Sequence, residues 1–222
     1  MLRRFAFLVF LAATSSAMGG QAQLGEVSVN LPPPQGFCDL SAAYPSDSRL
    51  LSAIGGLLGQ GGNKLLGISA DCGQLADWRS GRRPLLDDYA QYQTRLTTID
   101  KPPSETIKQA CASLRAEGEK ILSNKMPDFK ARIEAALTNV KVNQVSFIGV
   151  LAEEPRACYA RLIQQVKTQA GTTKTQLNLF AVTTVKNRAI FVYRFAVYKD
   201  PDSITTMLPV FKKEVAAFFA AN

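Results

Sequence analysis

Residues 175–185 and 189–198 are rich in β-branched and aromatic side chains, and the polar pair Lys186-Asn187 stands between them. That arrangement predicts a β-hairpin, because Asn tolerates the positive φ that a tight turn demands. Along the second run Phe191, Tyr193, Phe195 and Val197 share one face. Ile190, Val192, Ala196 and Tyr198 share the other, with Arg194 as its lone charge. A strand apolar on both sides needs cover above and below, which places it inside a sheet and not at its edge. Asp200 and Pro201 then have the character of a helix N-cap and first helical residue. Beyond them Ile204, Met207, Leu208, Phe211, Val215, Phe218 and Phe219 recur at three- and four-residue steps, a core-type stripe and not a cofactor box. Pro209 interrupts it and predicts a kink or a restarted helix.

At the other end, Met1-Leu2-Arg3-Arg4 is basic, residues 5–13 are apolar, and small residues follow to Ala17 or Ala22. This is the pattern of a secretory signal peptide, too short to span a bilayer as a helix. Cys38 is the first cysteine after it, too far downstream for a lipid anchor. The expected organisation is a leader over residues 1–22 and a single periplasmic or secreted domain over 23–222.

Four cysteines in an exported chain favour two disulfides, with three connectivities open. Cys111 lies on the apolar stripe of a helix and Cys158 on the apolar parity of a strand, so the pairing expected is Cys38–Cys72 with Cys111–Cys158. Each closure is worth about 3–4 kcal/mol on a chain-entropy basis. Reactive thiols are disfavoured, since no CxxC and no basic neighbour activates them.

Between the two ends the punctuation is clear. Residues 25–31 read as a strand stopped by Pro32-Pro33-Pro34, and residues 36–38 as a loop. Ser46 is expected to cap a helix whose inner side is Leu50, Leu51, Ile54, Leu57 and Leu58, closed by Gly61-Gly62. Residues 64–70 read as a buried strand. Residues 89–99 read as a strand with Gln91, Gln93, Arg95 and Thr97 facing water. Ser104 opens a helix with Ile107, Cys111, Leu114, Ile121 and Leu122 inward, weakened at Gly118. Pro127 is expected to start a new helical turn, with Phe129, Ile133, Leu137 and Val140 inward. Strands follow over 144–152 and 157–168, and residues 169–173 turn back into the closing hairpin. On the second of these strands Tyr159, Arg161, Gln165 and Lys167 form a half-exposed parity. Late strands on short links argue antiparallel pairing, so the class is α+β, with helices packed on a twisted, mostly antiparallel sheet.

The chain contains no histidine. Serine and cysteine triads, the commonest general base and nearly every catalytic zinc site are thereby removed. Neither a P-loop nor a dinucleotide-binding glycine pattern is present, and no metal or cofactor is expected. The carboxylate pairs Asp87-Asp88 and Glu153-Glu154 point opposite ways on an extended chain, although two distant carboxylates brought together would still serve a glycoside hydrolase.

The densest polar stretch, residues 71–88, is the candidate ligand site. Trp78 is placed to stack on a ring, with Arg79, Arg82 and Arg83 to hold an anionic group and Asp71 and Asp77 beside them. The competing reading has Trp78 as packing and the charges paired with one another. A second candidate is electrostatic. The formal charge of +8 becomes +6 without Arg3 and Arg4, and residues 156–199 hold eight bases and no acid. Arg156, Arg161, Lys167, Lys174, Lys186, Arg188, Arg194 and Lys199 would form a basic surface for an anionic envelope lipid or polysaccharide, or for a protein partner. Nucleic acid is the least favoured partner in that compartment.

The run of late strands followed by a terminal helix, TTVKNRAIFVYRFAVYKDPDSITTMLPVFKKEVAAFFAAN, together with the strand, proline and helix opening over 27–58, resembles the PsbP-like/DcrB-like α/β/α sandwich of exported proteins. The resemblance implies a sheet covered by helices on both faces and a non-catalytic accessory or binding role.

Overall fold

A computed structural model describes residues 20–136, 140–168 and 171–222. The expected leader as far as residue 19, the side chains of Phe129 and Val140, Leu137, and the expected turn beginning at Gln169 lie outside the described residues. The elements run β1 (Gly20–Leu24), β2 (Val27–Leu31), β3 (Phe37–Asp39), α1 (Pro45–Gln60), β4 (Asn63–Asp71), α2 (Cys72–Arg79) and β5 (Tyr89–Arg95). A 3-10 turn over Leu96–Thr98 leads on to α3 (Ile107–Ala136), β6 (Val140–Glu154), β7 (Ala157–Thr168), β8 (Thr173–Val185), β9 (Arg188–Val197) and α4 (Asp202–Ala220).

Seven strands form one antiparallel sheet in the order β3-β4-β5-β9-β8-β7-β6, and β1 and β2 pair separately. The doubly apolar β9 is the fourth of seven, at the centre, where both its faces are covered. Lys186 and Asn187 both take positive φ (46° and 61°), the backbone of a two-residue hairpin turn whose twist matches the strands it joins. The fold is α+β with helices on both sides of the sheet.

On one side lie α4 and the β1–β2 hairpin. Leu24, Val29 and Leu31 join Ile204, Phe211, Val215 and Phe218 over Tyr92, Tyr159, Leu177, Leu179, Ile190 and Val192. Burying each large apolar side chain is worth roughly 1.5–3 kcal/mol, so this layer is the main source of stability. The Asp200 carboxylate accepts from the Ser203 N–H at 3.0 Å, and α4 then runs through Pro209 as one helix. The hairpin is clasped to the chain's last residue, Asn222, whose side chain accepts from the Asn30 N–H (2.8 Å) and donates to its carbonyl (2.9 Å).

On the other side α1 and α2 pack on β4 and β5 through Leu50, Ile54, Ile68 and Leu75, and α3 packs on β6 and β7. The disulfides are Cys38–Cys72, tying β3 to α2, and Cys111–Cys158, tying α3 to β7. Disulfides of this kind point to an oxidising, extracellular or periplasmic environment. Among the described residues no helix is long and apolar enough to cross a membrane.

Several local expectations are corrected. Residues 37–39 are a strand, because they pair with β4 across the Cys38–Cys72 link. Helix α1 starts two residues earlier than a Ser46 cap requires, with Tyr44 at the cap position and Pro45 first. Pro127 lies inside α3 and Val140 opens β6. Gly118 does not interrupt α3; the Phe147 ring occupies the space a side chain there would need. Tyr159 is buried, edge-on to Phe211 under α4, with its hydroxyl donating to Glu154 at 3.2 Å.

The largest correction concerns Gln91 and Gln93. They do not face water: they are 5% and 4% exposed and point to the side that carries α1 and α3.

Candidate functional site

Alternate residues of the central strands converge beneath α1 and α3. The register sets Tyr89 opposite Phe195, Phe195 opposite Asn178, and Asn178 opposite Leu162, a row of side chains across four strands. The next rows hold Gln91, Tyr193 and Phe180 on one flank and Val197, Gln176 and Gln164 on the other. Leu50, Ile54, Leu57 and Ile133 form the opposing wall. A cavity of about 730 Å³ lies between floor and wall, a size that suits a drug-sized ligand.

The floor mixes rings with carboxamides. Tyr89 and Phe195 stack with centroids 4.2 Å apart and planes 10° apart, and Tyr193 continues the series at 6.2 Å and 21° from Phe195. Burial pushes the Tyr193 hydroxyl up to about 12 despite the opposing influence of Arg95, so the ring is neutral. Gln93 donates to Gln91 at 2.9 Å, and Gln164 donates to Gln176. Asn178 is 6% exposed and its Oδ1 accepts no hydrogen bond.

The 71–88 segment forms one lip of this cavity. Trp78 packs with Leu75 and Leu50 and also lines the opening. Asp71 caps α2, its carboxylate accepting from the Gln74 N–H at 2.9 Å. Gln74 in turn accepts from the Asp87 and Asp88 N–H groups at 3.0 and 3.2 Å, stitching the lip to β5.

The three arginines of the segment are each paired. Arg82 meets Asp77 at 2.7 Å in solvent, and Arg83 meets Asp87 at 2.7 Å. Arg79 reaches back to the start of α1, where its Nε donates to Asp47 at 3.1 and 3.2 Å while its guanidinium lies 3.8 Å from the centre of the Tyr44 ring. Asp47 is fully buried and also accepts from the Ser41 N–H at 2.9 Å. Burial alone would raise its carboxyl, but the hydrogen bonds and charge of Arg79, with those of Ser41 and Ser46, outweigh this and hold it below the ordinary 3.8. These groups brace the lip, and Trp78 is the member of the set that faces the cavity.

The acid-free stretch does not gather its charges on one surface. Arg161 and Lys167 share the strand face that carries α4, and Arg156 lies 4.0 Å over the Phe219 ring on the same side. Arg194 is buried there between Glu214 (3.3 Å) and Asp88 (3.5 Å). Burial raises the Glu214 carboxyl, with Arg194 opposing and Asp88 adding to the shift. Lys174 is on the opposite face, bonded to Asp87 at 2.7 Å at the cavity lip. Lys186 and Arg188 hold the Ser28 and Leu24 carbonyls of the β1–β2 hairpin, and Lys199 is exposed beyond β9.

Sequence reasoning missed the carboxamides. Their signal was Gln and Asn at alternate strand positions on the parity of the aromatic rings: Tyr89, Gln91, Gln93 on β5 and Gln176, Asn178, Phe180 on β8.

No protein-family model matches the chain, and neither does any curated protein. Among solved structures it is similar to the Ran-binding protein Mog1p of Saccharomyces cerevisiae, at 10% identity over 91% of this chain and 92% of that one, with a TM-score of 0.33.

Proposed function

We propose that this chain is an exported, non-enzymatic binding protein of the cell envelope, and that its ligand occupies the cavity between the sheet and α1 and α3. The observation that carries the reading is the cavity itself: about 730 Å³, walled by aliphatic side chains and floored by rings and carboxamides. Such a mixture, mostly apolar with a few placed polar groups, is the usual make-up of a small-molecule site. A carboxylate-only hydrolase fits less well, because the carboxylate among the described lining residues is Asp87, already bonded to Arg83 and Lys174. Export is supported by the leader pattern and the two disulfides. A cut after Ala17 leaves β1 whole, whereas one after Ala22 would sever it.

Titration with Nile red, an uncharged apolar dye that fluoresces when desolvated, tests the reading. Saturable one-to-one binding is expected, abolished by the cavity-filling substitution Ile54→Trp. Absence of saturation, or equal binding by a folded I54W, would defeat it.

A further inference from the structure

We infer that the cavity selects an uncharged amphipathic molecule, whose hydroxyl- or amide-bearing head donates to Asn178 and whose apolar body lies between the sheet and α1. This rests on the binding reading above and adds the charge and polarity of the ligand.

The first support is the unmet acceptor. Asn178 is more than nine-tenths buried in the middle of the cavity floor, with Oδ1 unbonded. Its cross-strand neighbours on that face are Leu162 and Phe195, neither of which has a side-chain donor. Buried carbonyl oxygens without partners are uncommon because nothing offsets their desolvation. Oδ1 has less than 1 Å² of accessible surface, so a ligand's N–H or O–H reaches it with a small shift of the Asn178 side chain and then supplies the missing partner. A ligand without a donor at that point leaves the penalty in place.

The second support is the neutrality of the floor. Its polar groups are carboxamides and tyrosine hydroxyls, and the glutamines are already paired, Gln93 with Gln91 and Gln164 with Gln176. The ionised groups at the edge are committed elsewhere: Asp87 to Arg83 and Lys174, and Arg132 to Asp128 at 2.8 Å. Arg49 is exposed at the mouth. A carboxylate, sulfate or ammonium placed on this floor would shed its water without meeting an opposite charge. The third support is apolar. Tyr89 and Phe195 turn their facing ring surfaces to each other, and Leu50, Ile54 and Leu57 oppose them across the gap, a lining for a hydrocarbon or ring body.

Competition against Nile red with three submicellar ligands of equal chain length tests this: octyl β-glucoside, octyl sulfate and octyltrimethylammonium. The glucoside is expected to displace the dye at least tenfold more tightly than either charged analogue. Octyl glucoside with its hydroxyls methylated, which has no donor, is expected to bind about tenfold more weakly to the unaltered protein. Asn178→Leu should weaken the glucoside about tenfold in direct calorimetric titration, with an unchanged circular-dichroism spectrum as the control for folding. If Nile red binds but the charged analogues match the glucoside, or methylation or the substitution costs it nothing, the ligand class is wrong while the binding reading stands. The ligand class is equally wrong if no octyl compound displaces the dye. If Nile red itself fails to bind, both fall.

Discussion

The two faces of the central sheet are built from alternate residues of the same strands, yet they differ in almost every respect. Under α4, β5, β8 and β9 contribute Tyr92, Leu177, Leu179, Ile190 and Val192, packed against Phe211 and Phe218 with Tyr92 and Phe218 centroids 5.1 Å apart. One residue along, the same strands turn Gln91, Gln93, Gln176 and Asn178 towards α1 and α3, and a cavity remains. One face is closed by a continuous layer of packed apolar side chains, and the other leaves a cavity. A sheet covered on both sides can assign stability and binding to opposite faces, because a period of two lets each be altered without touching the other.

The strongest way to break this division is Phe218→Ala. It should cost about 3–5 kcal/mol in urea denaturation, since Phe218 is fully buried, while the folded fraction binds Nile red as before. Loss of dye affinity in the folded protein would show that the faces are coupled.

Next in size is Arg79→Met, which strands the buried Asp47 carboxylate at the cavity lip. About 3 kcal/mol is expected at neutral pH, the low end for a broken buried pair because Arg79 keeps some solvent contact. The pH dependence has a definite sign. Asp47 is held below its ordinary value in the fold, so its contribution is complete above the unfolded carboxylate range and is lost as pH falls through the lowered value. The gap between wild type and R79M should therefore narrow in acid, and a gap that stays constant in acid denaturation curves would contradict the assignment.

The smallest effect sharpens the comparison most. Asn178→Leu should stabilise the free protein by roughly 1 kcal/mol, because it removes an unpaired acceptor from an apolar row. A substitution that raises stability and weakens binding is the signature of a group kept for its ligand. Destabilisation would mean that Asn178 serves the fold.

The α4 face was legible in the sequence because apolar periodicity is a direct record of burial. The stripe from Ile204 to Phe219 and the doubly apolar β9 needed no tertiary knowledge, and Cys111 and Cys158 were matched by the faces they occupy. The cavity face was not, because alternation distinguishes polar from apolar but cannot say whether Gln91 meets bulk water or a space beneath α1. Asp47 was opaque for a related reason: its partner is 32 residues away, and the first turn of a helix accepts an acid whether or not an arginine arrives. Pro127 and Pro209 signalled breaks that the packing of α3 and α4 overrides, since tertiary contacts outweigh one missing hydrogen bond. The first strand was hidden because Gly20, Gln21 and Ala22 have the small-residue character of a processing site.

Cys111 sits near the start of a 30-residue helix, and its bond to Cys158 is the covalent rivet between that helix and the sheet. Beyond Cys111, α3 is held over the sheet by side-chain packing and, among the described residues, by the Arg115–Glu153 ion pair at 2.6 Å. In a reducing cytosol this bond is not expected to form, and the roof of the cavity should then be looser while the α4 layer keeps its packing. Protein overproduced there would pass every ordinary test of foldedness while under-reporting affinity, and preparations from oxidising and reducing hosts should diverge in ligand retention before they diverge in melting behaviour.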